Sequence, residues 1–473
     1  MAPAPLPLLV AAFSLLFAAA TPIRDVADAC SSQVQAADFE HLNSTAMHLP
    51  LHHSRGPCSP VSVPSDLPFS ALLTHDDARI ASLAARLAKA APSSSSARPR
   101  PTVTVASLYR ANDDAAVDGS LASVPLTPGT SYGVGNYVTR MGLGTPAKPY
   151  IMVVDTGSSL TWLQCSPCRV SCHRQSGPVF DPKTSSSYAA VSCSTPQCND
   201  LSTATLNPAA CSSSDVCIYQ ASYGDSSFSV GYLSKDTVSF GSNSVPNFYY
   251  GCGQDNEGLF GRSAGLMGLA RNKLSLLYQL APTLGYSFSY CLPSSSSSGY
   301  LSIGSYNPGQ YSYTPMVSST LDDSLYFIKL SGMTVAGKPL AVSSSEYSSL
   351  PTIIDSGTVI TRLPTTVYDA LSNAVAGAMK GTKRADAYSI LDTCFVGQAS
   401  SLRVPAVSMA FSGGAALKLS AQNLLVDVDS STTCLAFAPA RSAAIIGNTQ
   451  QQTFSVVYDV KSNRIGFAAG GCT

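Results

Sequence analysis

One stretch of this chain occurs twice. Val153-Val154-Asp155-Thr156-Gly157-Ser158-Ser159-Leu160-Thr161-Trp162-Leu163 returns 200 residues later as Ile353-Ile354-Asp355-Ser356-Gly357-Thr358-Val359-Ile360-Thr361-Arg362-Leu363. Both copies run apolar, apolar, Asp, Thr or Ser, Gly, Ser or Thr, two further residues, Thr, any residue, Leu. An apolar run that stops at a Gly turn predicts a buried strand that presents its Asp at the end. A second matched pair follows in the same order: Ala264-Gly265-Leu266-Met267-Gly268-Leu269 after the first copy, Ala444-Ile445-Ile446-Gly447-Asn448 after the second. The chain is therefore one duplication of domain size, with a period far too long for a solenoid. A lone Asp-Thr-Gly is common where Asp caps its own turn. Two copies with matching flanks instead point to two Asp residues facing each other across one cleft.

The other titratable residues narrow the chemistry. Five of the six His residues (His41, His48, His52, His53, His75) precede residue 124, which leaves only His173 in the duplicated part. A Ser or Cys nucleophile generally needs a His base, so acid–base work falls to carboxylates. Two carboxyl groups held close together cannot both ionise cheaply, so one keeps a proton while the other stays charged. The charged one can take a proton from water and the protonated one can donate to a carbonyl oxygen. Thr156 and Ser356 can brace the two loops, Ser158 and Thr358 can hydrogen-bond the carboxylates, and Gly157 and Gly357 let backbone N–H groups approach.

The 473 residues allow two or three domains. Abundant Val, Thr and Tyr between Gly and Pro turns favours a β-rich fold. Residues 6–20 are apolar, too short to span a bilayer comfortably, and end in small residues, the form of a secretory signal peptide; a plastid transit peptide is the alternative. Fourteen Cys, twelve of them from Cys165 onward, read as disulfides beside such a signal. Cys165, Cys168 and Cys172 also have metal-like spacing, but without a second tight Cys/His pair no metal is expected. Residues 21–123 hold a candidate amphipathic helix at 75–89, a Ser/Pro/Arg-rich linker at 91–101 and the sequon at Asn43, the anatomy of a propeptide. From residue 124 there are 20 Lys and Arg against 18 Asp and Glu, with no basic tract to hold nucleic acid. Strands are expected at 137–139, 218–223, 228–240 and 325–335, and a helix at 366–379.

Over residues 137–473 the chain resembles the pepsin-like aspartic peptidases of plants, of the nepenthesin type, close to the chloroplast-nucleoid and apoplastic subgroup. Aspartic proteases are the standard case of the shared-proton carboxylate pair. The resemblance implies a bilobal, mainly β fold with Asp155 and Asp355 as the catalytic pair. Tyr223, before Gly224-Asp225-Ser226-Ser227, is then the flap tyrosine, and Trp162, the chain's one Trp, the partner of its hydroxyl. Pairs Cys165–Cys168, Cys172–Cys252, Cys193–Cys217, Cys198–Cys211, Cys291–Cys472 and Cys394–Cys434 are implied by the same resemblance. Two positions depart from the family: Ser226 where Gly is commoner, and Arg262-Ser263-Ala264 where an Asp is more usual.

The expected protein is a monomeric, secreted endopeptidase of the apoplast, with vacuole or plastid as alternatives. It has a signal peptide (1–20), a propeptide (21–123) acting as intramolecular inhibitor, an N-terminal lobe (124–315) and a C-terminal lobe (316–473). It cleaves proteins or peptides without cofactor or metal and binds neither membrane nor nucleic acid. The competing readings are a catalytically dead relative serving as a binding or inhibitor protein, and a plastid nucleoid protease that also binds DNA.

Overall fold

The computed structural model describes residues 47–53, 69–90 and 137–472, apart from 224–226, 242, 259, 295–298 and 320–321. The expected signal peptide, the sequon, the linker at 91–101, Cys30, Cys58 and Gly224 lie outside the described residues.

The fold is mainly β and bilobal, and the sequence repeat appears in it as repeated strand pairing. Strand Lys148–Asp155 starts exposed and ends with six buried residues in succession, as expected of a strand covered on both faces. Gly265–Gly268 runs parallel to it with Gly268 opposite Asp155, and antiparallel to Trp162–Gln164. In the second half Ala444–Ile446 runs parallel to Thr352–Ile354, and Ile445 also pairs antiparallel with Arg362. The Thr near the end of each motif joins these pieces: Thr161 Oγ1 accepts from Gly268 N at 3.2 Å and Thr361 Oγ1 from Gly447 N at 2.9 Å.

The two halves share a sheet. Ser287–Cys291 pairs on one side with Phe454–Asp459 from the second half and on the other with Gly299–Ile303. Next to Gly299–Ile303 lies the leader strand Met47–His53, whose far edge meets Tyr137–Leu143 at His52 and His53. Met47, Leu49 and Leu51 are buried in the main core, the period-two signature of one covered face. Thr139 Oγ1 donates to Pro50 O at 2.7 Å.

The hairpin Cys217–Ser222 with Phe228–Phe240 closes with Ser222 opposite Phe228. The 325–335 segment is two strands, Phe327–Ile328 and Leu330–Val335, with an irregular register between Leu330 and Gly332. Thr365–Ala378 is helical, and the leader helix spans Phe69–Ala90, six residues longer at its start than its periodicity indicates. Within the Cys-rich insertion Pro196–Ala204 forms a further helix. Thr195 caps it by accepting from Cys198 N, and Pro196 supplies the fixed φ that suits a first turn.

Six disulfides join the twelve Cys from Cys165 onward. Cys291–Cys472 and Cys394–Cys434 pair as the resemblance implies. The other four pairs correct it: Cys165–Cys252, Cys168–Cys172, Cys193–Cys211 and Cys198–Cys217. Strand register accounts for the first change. Trp162–Gln164 runs parallel to Asn243–Glu257 with Leu163 opposite Cys252, so the next residues bring Cys165 and Cys252 to 5.3 Å between Cα atoms. Cys172 then closes on Cys168. On the helix Pro196–Ala204, Cys198 is buried toward Cys217 in one apolar cluster with Leu201, which leaves Cys193 to Cys211.

Candidate active site

Asp155 and Asp355 end their strands 1% and 0% exposed, and the turn after each completes a reciprocal brace. Ser356 Oγ accepts from Thr156 N at 3.2 Å, while Thr156 Oγ1 accepts from Ser356 N at 2.9 Å. Gly157 N donates to Asp155 Oδ1 at 2.9 Å and Gly357 N to Asp355 Oδ1 at 3.2 Å. A Cβ on Gly157 would stand 2.8 Å from Asp355 Oδ1, and one on Gly357 2.7 Å from Asp155 Oδ1. Each glycine is thus required by the carboxylate of the opposite half. Thr358 Oγ1 donates to Asp355 Oδ2 at 2.6 Å. Its counterpart Ser158 makes no such bond: its buried hydroxyl has no partner among the described residues, and Asp155 Oδ2 faces Arg79 Nη1 at 3.3 Å instead.

Arg79 comes from the leader helix and was not singled out by sequence reasoning. Its guanidinium lies between the two carboxylates, with Nη2 2.5 Å from Asp155 Oδ1 and 2.9 Å from Asp355 Oδ1, and Nε 2.8 Å from Asp355 Oδ2. One nitrogen bonding both Asp residues means that the two acids share a single pocket. Burial opposes the Arg79 charge, but the two carboxylates outweigh it and hold its pKa well above the usual value. Burial likewise pushes the Asp355 carboxyl up; the Arg79 charge and hydrogen bonds, with Thr358 and Gly357, bring it below the ordinary carboxylate range.

The same helix makes a second polar contact one turn earlier. The buried Asp76 carboxylate accepts from Val359 N and from Ile360 N (3.1 Å), and lies 3.1 Å from Arg362 Nη2. Asp77 bonds the same guanidinium nitrogen at 2.8 Å. Apolar anchors flank both contacts. Phe69, Leu72 and Leu73 pack with Val359, Ile360 and Leu391, and Leu83 and Leu87 with Leu325, Phe327 and Ile353. Each such side chain is worth about 1.5–3 kcal/mol when fully buried.

On the other wall Trp162 Nε1 donates to Tyr223 OH at 2.8 Å. Phe260 packs edge-on against both rings, with centroids 4.8 Å from Trp162 and 5.7 Å from Tyr223. The fully buried Trp162 is thus both core and support for the hydroxyl. Phe260 went unnoticed in sequence, and Thr161 and Thr361 were legible there only as matching places in the repeat. Cys165, Cys168 and Cys172 are all committed to disulfides.

The chain is similar to several known proteins. The xylanase inhibitor N-terminal family model matches residues 137–305, and the xylanase inhibitor C-terminal model residues 325–469. Aspartyl protease family protein 2 of Arabidopsis thaliana is 38% identical over 96% of this chain and 92% of its own length. Aspartyl protease AED1 of the same plant is 37% identical over 91% and 88%. Aspartic proteinase nepenthesin-2 of Nepenthes gracilis is 37% identical over 72% and 78%. Among solved structures, the fold is shared with edgp at TM-score 0.57 and 22% identity, covering 71% of this chain and 92% of that one. It is also shared with soybean basic 7S globulin at 0.56 and 20%, covering 71% and 94%. The chain belongs to the plant pepsin-like aspartic proteases, a family of aspartic-type endopeptidases.

Proposed function

We propose that the protein is a secreted aspartic endopeptidase made as a zymogen, with Asp155 and Asp355 as its catalytic pair and the leader as its own inhibitor. The observation that carries this reading is the Arg79 guanidinium lodged between the two carboxylates. It occupies the place where a water and a substrate carbonyl must sit. Once the leader leaves, the two carboxyls share one proton. The ionised carboxylate takes a proton from the water as its oxygen bonds to the peptide carbon, and the protonated partner donates to the carbonyl oxygen. The tetrahedral intermediate then collapses: the proton taken from water passes to the leaving amine as the C–N bond breaks, and one hydroxyl of the intermediate returns its proton to the other carboxylate. Tyr223, held by Trp162, closes over the substrate. The disulfides fit an oxidising compartment such as the apoplast, and the substrates are proteins or peptides.

The test is to acidify the purified full chain in steps from pH 7 to pH 3. Loss of the residues before about 124, together with cleavage of a denatured protein at about pH 3–5, is the expected result. Asp155→Asn should reduce that cleavage at least about 100-fold. Tight binding of a glycanase without any cleavage would instead favour the inhibitor reading.

A further inference from the structure

The second contact of the leader helix uses groups that remain in the protein after the helix is gone. Val359 N and Ile360 N both donate to Asp76, and Arg362 Nη2 bonds Asp76 and Asp77. Arg362 is 3% exposed in its side chain, and its other hydrogen bond among the described residues is from Nη1 to the carbonyl of Ile360 at 3.1 Å. Removing the leader takes away both carboxylates of this guanidinium. A buried charge stripped of its partners is costly, and two backbone N–H groups, one to each oxygen of the Asp76 carboxylate, lose their acceptors as well. These donors follow the second Asp turn, four to seven residues beyond Asp355, with Arg362 in the strand Thr361–Pro364.

Resting on the reading that the leader gives way to substrate, we infer that Val359 N, Ile360 N and Arg362 form a carboxylate-binding subsite of the released cleft, selecting peptides with an Asp or Glu side chain near the scissile bond. Asp76 stands in for that side chain in the precursor, as Arg79 stands in for the reacting centre. Asp76 lies three residues from Arg79, about 4.5 Å along the helix axis. An extended peptide advances about 3.3 Å per residue, so the acidic side chain falls within about three residues of the scissile bond, on one side only. The site is specific for planar carboxylates because a guanidinium and two N–H donors together satisfy several lone pairs at once. An amide of the same shape would turn its NH2 group toward a cation or an N–H donor.

The test uses the acid-activated full chain and peptide pairs that differ only in Glu or Gln, placed in turn at each of the three positions on either side of the cleaved bond. At pH 5 most Glu side chains are ionised. At one position the Glu peptide should be cleaved with about tenfold higher kcat/KM, carried by a lower KM, and Arg362→Gln should abolish the difference. A synthetic peptide of residues 69–90 should inhibit the unmutated enzyme, and its Asp76→Asn form at least tenfold more weakly. This arm needs no folded variant of the enzyme. Equal cleavage of Glu and Gln peptides at every position overturns the subsite and leaves the protease reading intact. Cleavage of neither member of any pair overturns the protease reading, and the subsite falls with it.

Discussion

On the proposed zymogen reading, Arg79 and the two Asp residues set how acid acts on the docked leader. In the docked form Asp355 has a lowered pKa: burial raises it, but Arg79, Thr358 and Gly357 more than offset that. A carboxyl depressed in this way stabilises docking above its free pKa, and the stabilisation is lost as pH falls through the docked value. Asp76 acts in the opposite sense. Burial raises its pKa despite Arg362 and the two N–H donors, so its protonation does not drive release. Two carboxyls left in one pocket without the cation hold one proton between them, so acidification favours the leader's departure. Arg79→Gln removes the cation that brings the Asp355 carboxyl below the ordinary carboxylate range. Its precursor should open and process about one pH unit higher than the unmutated chain, a difference of about 1.4 kcal/mol, followed by the pH midpoint of leader loss on gels. An unchanged midpoint would mean that the apolar anchors alone hold the helix. The Asp pair was legible in the sequence because its flanks repeat; Arg79 was not. A single Arg on an amphipathic helix looks like any solvated cation, and only packing against a turn 76 residues away in sequence places it between the two Asp residues.

The leader strand shows the same limit of sequence at the next level. Its residues MHLPLHH combine a Pro with three His, a poor strand by composition, yet Met47, Leu49 and Leu51 are 1–2% exposed in the sheet that joins the two halves. Tertiary pairing with Gly299–Ile303 and Tyr137–Leu143 overrides local preference. The helix at 365–378 and the hairpin at 217–240 were readable because periodicity and turn residues agreed there. The helix at 196–204 was hidden by its Cys and Ser content, though Thr195-Pro196 carried its start signal. Leu49→Asp should cost the full chain several kcal/mol, since it places an unpaired charge among core side chains. The measurement is the urea midpoint of the unprocessed protein. A shift of less than about 0.5 kcal/mol would mean that the strand is dispensable to the precursor fold.

Across the whole molecule the duplicated halves meet in one braced turn pair and one shared sheet, and this symmetry is what the sequence reported most faithfully. The disulfide pattern was less accessible, because Cys spacing does not fix connectivity while the parallel register of Leu163 with Cys252 does. The proposed activity depends on Asp155 and Asp355 acting as a single unit, which non-additivity measures most directly. Asp155→Asn, Asp355→Asn and the double variant should be compared with the unmutated chain for peptide cleavage at pH 4, after proteolytic removal of the leader in each. Each single variant should lose at least about 100-fold in kcat/KM, and the double variant should be no worse than the poorer single one. Substantial cleavage by either single variant, or losses that multiply in the double, would contradict a shared catalytic pair.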